Sequence, residues 1–171
     1  MKRLSLFVVA LSFVAAACGS SSTSPTAVQP RFTASLSPAN EVPAIGNAES
    51  IGSGNVTVTW DTTPATGGNL TAASATFLVS LSGFPANTPI NAAHIHPGAA
   101  GVNGGVIVSL GLTAGEVVLN ASGSGTFTKG PINVTPEIAQ QIMNNPAGYY
   151  FNVHSTLNPG GVARGQLQRV Q

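Results

Sequence analysis

The sequence predicts an all-β fold, a sandwich or closed barrel of about eight strands joined by Greek-key connections, with one short helix. Three observations carry this. Short runs of alternating apolar and polar residues recur with turn residues between them. The 171 residues include 46 Ser, Thr and Asn, 20 Gly and 12 Pro, but charged residues make up only 6%. Strand and turn formers therefore outweigh the helix formers Leu, Glu, Lys and Arg.

The elements follow in order. Phe32 to Leu36 alternates, and Asn55 to Trp60 does so more clearly, with Val56, Val58 and Trp60 on one face. Leu70 to Leu81 places Ala73, Ala75, Phe77, Val79 and Leu81 together. Ala92 to His96 is a short strand. Val106 to Leu110 is a continuous apolar run, which predicts a central strand. Glu116 to Thr128 holds two half-runs split by Gly123-Ser124-Gly125, read as one bulged or bent strand. Tyr149 to His154 and Val162 to Val170 close the chain. The helix is predicted over about 135–144: Thr135 is its N-cap, Pro136 its first residue and Glu137 its first-turn carboxylate. Ile138, Ile142 and Met143 form its apolar stripe, and Asn144-Asn145-Pro146 ends it.

The N-terminus reads as an address. Met1-Lys2-Arg3 precedes an apolar run from Leu4 to Ala17, too short to span a bilayer comfortably, which predicts a signal peptide over 1–17. Ala15-Ala16-Ala17-Cys18 places the single cysteine of the chain at the cleavage point. This resembles the lipobox of bacterial lipoproteins, with Ala15 where leucine is usual. The resemblance implies that Cys18 is acylated and becomes the mature N-terminus. Residues 18–30, rich in Ser and Thr, read as a flexible tether, and 31–171 as the folded domain. The expected location is the bacterial cell envelope, lipid-anchored. Gly19 after the cysteine, rather than Asp, favours the outer membrane where one exists.

Charge excludes a nucleic-acid partner, since six basic residues against five acidic ones make no electrostatic footprint. Cleavage before Cys18 leaves four basic and five acidic side chains. Attachment to a membrane would then rest on acyl chains alone. Catalytic sets are missing: there is no Gly-x-Ser-x-Gly elbow and no phosphate loop. Glu41, Glu49, Asp61, Glu116 and Glu137 are scattered. Ser109 and Ser155 read as structural.

The three histidines are the chemical signal. His94 and His96 are two apart on a strand and project from one face. His154 ends another strand. Three neutral imidazoles brought together would hold one copper or zinc ion. No acid adjoins them in sequence, so backbone carbonyls would have to orient the rings. The alternative reading is structural, with His94 and His96 bonding the Gly-rich loop from Pro97 to Gly105. Arg164 has the same two readings, a clamp on backbone carbonyls or an anion contact. Glu41 reads as a ligand of backbone amides in its own loop.

Asn40-Glu41-Val42-Pro43, Ala93-His94-Ile95-His96-Pro97-Gly98 and Tyr149 to His154, followed by Asn158-Pro159-Gly160-Gly161-Val162-Ala163-Arg164-Gly165-Gln166-Leu167, together resemble the CHRD domain. The resemblance spans Arg31 to about Val170. It implies an immunoglobulin-like β-sandwich and no defined activity. Val162-Ala163 stands where the family often has Glu-Ile, so an acid that would pair with Arg164 is missing there. The order of His94, His96, His154 and Arg164 is also distantly similar to Cu/Zn superoxide dismutases. The bridging histidine, zinc ligands and cysteine pair of those enzymes have no counterpart here. Two functions follow: an envelope-anchored, non-catalytic binding or structural module whose protein or glycan partner is undefined, or a mononuclear copper or zinc protein using His94, His96 and His154, redox-active in the manner of a degenerate dismutase.

Overall fold

A computed structural model describes residues 29–170. The expected signal peptide, Cys18 and most of the tether lie outside the described residues. Two antiparallel sheets face each other as an open sandwich. Strands β1 (Arg31–Leu36), β2 (Ser53–Pro64), β3 (Leu70–Ser82), β7 (Gly125–Val134) and β10 (Gln168–Arg169) form one, in the order β10-β1-β2-β3-β7. Strands β4 (Pro89–Pro97), β5 (Val108–Ser109), β8 (Tyr149–Ser155) and β9 (Ala163–Gln166) form the other, in the order β5-β4-β8-β9. There β6 (Val117–Val118) also pairs with β4.

Alternation builds the interior as the sequence predicts. Val56, Val58 and Trp60 from β2 and Ala75, Phe77 and Val79 from β3 are buried against Ile95 of β4 and Phe151 and Val153 of β8. The Phe77 and Phe151 rings stack across the sandwich, 5.8 Å between centroids. The β2–β3 hairpin turns through Gly67 and Gly68, both at positive φ, which glycine adopts without steric cost. Helix α1 (Pro136–Asn144) lies where predicted and buries Ala139 and Ile142. Thr135 occupies the N-cap in an extended conformation, but its side chain makes no capping bond.

Three segments differ from expectation. Val106 to Leu110 does not form a central strand. Only Val108 and Ser109 pair, at the edge beside β4, because Gly104-Gly105 and Gly111, at φ +61°, bound the run. Val108 and Leu110 are nonetheless buried, so the apolar run marks core packing rather than a long ladder. Glu116 to Thr128 is two strands in opposite sheets, β6 and β7. The chain crosses between them through Gly123, at φ +68°, where an added Cβ would stand 1.7 Å from the Phe84 carbonyl oxygen. Val162 to Val170 likewise divides into β9 and β10, one in each sheet, with Leu167 buried between them. The outer strands are short, except β7, which carries Lys129 and Pro131.

Candidate metal centre

The β4–β8 ladder assembles the site. Its register pairs Ala92 with His154, His94 with Asn152 and His96 with Tyr150. Directly opposed residues share a face, so His94, His96 and His154 stand together with Tyr150 and Asn152 on the face away from the core. Ile95, Phe151 and Val153, the intervening residues, point inward and are fully buried.

That outer face is not exposed. His96, His154 and Asn152 are buried and His94 half-buried. One candidate ligand atom from each histidine lies within 4.8 Å of the other two. The His94 Nδ1 and His154 Nε2 atoms are 3.0 Å apart. Metal–imidazole bonds of about 2.0–2.1 Å set two ligand atoms of one ion about 3.0–3.4 Å apart, so this pair already fits and the widest separation must close modestly.

Hydrogen bonds fix which nitrogens are free. A carbonyl can only accept, so His96 donates its Nδ1–H to Gly104 O and His154 donates its Nδ1–H to Pro159 O, each at 3.0 Å. Both rings therefore present a bare Nε2, and that of His96 is buried with no protein partner. Backbone carbonyls orient the two rings, the arrangement common around metal-bound histidines. His154 Nε2 accepts from His94 Nδ1, so His94 must move its proton to Nε2 before Nδ1 can ligate. Burial lowers all three imidazole pKa values. His94 falls to about 4, with repulsion from His154 and His96 adding to the effect of burial. All three are neutral at neutral pH, the form that binds metal.

Residues that sequence reasoning passed over complete the surroundings. The Tyr150 ring stacks on His96, 4.9 Å between centroids and 6° from parallel, and its hydroxyl accepts from Gly104 N at 3.2 Å. Gly104 is thus held from both sides. An added Cβ there would stand 1.8 Å from Pro97 O. Tyr150 and Asn152 lie four and two residues before His154, so strand periodicity placed them on its face. The Gly104 and Pro159 carbonyls carried no sequence signal.

Arg164 donates from Nε to Asn40 O at 2.6 Å and from Nη1 to Asn103 Oδ1 at 2.7 Å, with its guanidinium over the Tyr150 ring. Its Nη2 has no partner. Glu41 does not bond loop amides as expected. Its Oε1 is buried without a partner, and its Oε2 lies 3.9 Å from Arg164 Nε. The segment carrying Glu41 folds over the outer face of the sheet, so Arg164 meets the carboxylate instead. Burial raises the Glu41 pKa to about 7, against the opposing pull of Arg164.

The family model for the CHRD domain matches residues 32–167, nearly all of the described chain. The chain belongs to the CHRD domain family. Among curated proteins none matches it. In this CHRD domain all three landmark segments meet on one face of one sheet. Asn40-Glu41 reaches Arg164, the His-x-His strand pairs with the Tyr149–Ser155 strand, and Arg164 lies opposite Asn152 in the β8–β9 register. Sequence motifs that are far apart in the chain are therefore one structural unit.

Proposed function

We propose that this CHRD domain binds one copper or zinc ion through His94, His96 and His154. The observation that supports it is the pair of carbonyl-held rings: His96 and His154 each spend Nδ1 on backbone and leave Nε2 bare, within reach of His94. A buried polar atom without a partner costs about 1–3 kcal/mol, and a metal ion would remove that cost at His96 Nε2. The half-buried His94 leaves one side for an exchangeable ligand. Titration calorimetry of the purified protein with copper and with zinc tests this, with one ion per chain expected. No binding tighter than that of a variant with all three histidines replaced by alanine overturns it.

The same hydrogen bonds favour a second reading, in which His96 and His154 pin the 97–105 and 156–161 loops without metal. That reading fits a non-catalytic structural module and is what remains if titration fails. For placement we propose export and acylation at Cys18, on the strength of the lipobox-like sequence. No helix among the described residues is long and apolar enough to cross a membrane. Cys18→Ala should move the protein from washed membranes to the soluble fraction.

A further inference from the structure

We infer that Glu49 is a positioning residue of the trihistidine site: through Asn158 it aims the Pro159 carbonyl that fixes which nitrogen of His154 carries the proton. The inference deepens the metal reading above and rests on it for the effect on affinity. Glu49 is 3% exposed and lies in the turn before β2. Its Oε2 atom accepts from Ser155 Oγ at 2.6 Å and from Asn158 Nδ2. A second link joins the same two segments. Asn47 Nδ2 donates to Asn158 Oδ1 at 2.9 Å, while Asn47 Oδ1 accepts from Glu49 N at 3.0 Å. Asn158 N donates to Ser155 Oγ at 3.0 Å, and Asn158 O accepts from Gly161 N at 3.1 Å, closing a turn through Pro159 and Gly160. Proline fixes its own φ, so anchoring Asn158 leaves the Pro159 carbonyl little freedom.

The 155–161 loop thus has its own anchors on Glu49 and Asn47 and does not need His154 to hold it. His154 does need the loop. The 3.0 Å bond between His94 Nδ1 and His154 Nε2 can run in either direction, since a neutral imidazole carries its proton on either nitrogen. Donation from His154 Nδ1 to Pro159 O, at 3.0 Å, breaks that symmetry and leaves His154 Nε2 bare. His96 is oriented separately, by Gly104 O. A loss of Glu49 should therefore be felt at His154 and His94 and not at His96.

The test uses the full chain in detergent, with nitrogen-15 in its histidine rings, at a pH of about 8, where all three are neutral. Magnetic-resonance correlations within each imidazole show which nitrogen is protonated. In the unaltered chain His154 should be protonated at Nδ1 alone. Glu49→Ala should leave His94 and His154 as mixtures of both tautomers and His96 unchanged. Glu49→Gln, which keeps an acceptor at the same place, should restore the single form. Zinc affinity, read against a chromophoric zinc indicator, should fall about 10–100-fold in Glu49→Ala and recover in Glu49→Gln. If Glu49→Ala fails to fold, Asn158→Ala removes the same link from the loop side and decides in its place. A single Nδ1–H tautomer of His154 in the variant, a mixed His96, or an unchanged zinc affinity overturns the inference and leaves the metal site standing. An unaltered chain that binds no zinc and no copper overturns the metal reading itself, and the link from Glu49 to His154 then stands or falls on the tautomers.

Discussion

The two faces of the β4–β8 ladder are made by alternate residues of the same strands, yet they follow different rules. Inward, Ile95, Phe151 and Val153 are fully buried among the apolar side chains of the core. Outward, His96, Asn152 and His154 are nearly as buried, but under loops, and several of their polar atoms and those of Glu41 and Arg164 have no partner. One face is optimised for packing. The other holds polar groups at a cost that packing does not repay, the pattern expected where geometry serves ligand binding.

Substitutions that separate the faces give the sharpest contrast. Phe151→Ala should have the largest effect on stability, about 3–5 kcal/mol in urea unfolding, because it opens a cavity opposite Phe77. If His96→Ala destabilises the domain as much, the contrast between the faces fails. Its expected effect lies in metal affinity, a loss on the order of a hundredfold or more, given that losing an outer partner alone costs 10–100-fold.

Acid should distinguish the faces as well. His94 titrates near 6.5 when unfolded and at about 4 when folded, so the unfolded chain binds more protons between those values. Stability should therefore fall as the pH drops from about 6.5 towards 4, and His94→Ala should flatten that limb. Glu41 acts in the opposite sense. Its pKa is raised from 4.5 to about 7, so the stability it contributes is present below 4.5 and lost as the pH rises through 7. Glu41→Gln should flatten the neutral limb. Urea midpoints measured from pH 4 to 8 check both.

Tyr150→Phe is a finer probe. It removes only the hydroxyl that accepts from Gly104 N, and it should weaken metal binding about tenfold with little change in fold. Smallest of all should be Lys129→Met, which breaks an exposed ion pair with Glu116 and should leave both metal affinity and the unfolding midpoint within measurement scatter.

The inner face was legible from sequence because burial there follows a period of two. Val56, Val58 and Trp60, and Ala75, Phe77 and Val79, needed no knowledge of their partners. The histidines were legible as a set for the same reason: His94 and His96 share a face by spacing alone. What was not legible is tertiary. The Gly104 and Pro159 carbonyls have no side-chain identity to announce them. Glu41 finds Arg164 across 123 positions of chain rather than its own loop amides. The strands after Gly105 and Gly115 were misjudged because an apolar run marks burial, and burial is compatible with a two-residue edge strand or with a crossing between sheets.

The margins of the sheets bear on how copies of the protein coexist. With 6% charged residues the surface has little electrostatic repulsion to keep molecules apart, so unpaired backbone at a sheet edge would invite strand-to-strand pairing. The outer strands β5, β6 and β10 are two residues each, too short to template a neighbour, and the four-residue edge strand β9 is bridged at Arg164 to Ser37. The one long outer strand, β7, carries Pro131, which has no N–H to offer, two residues from the charge of Lys129. Protection that most proteins obtain from a charged surface is here assigned to strand length and to a single imino acid, so Pro131→Thr should promote aggregation while leaving the histidine face untouched.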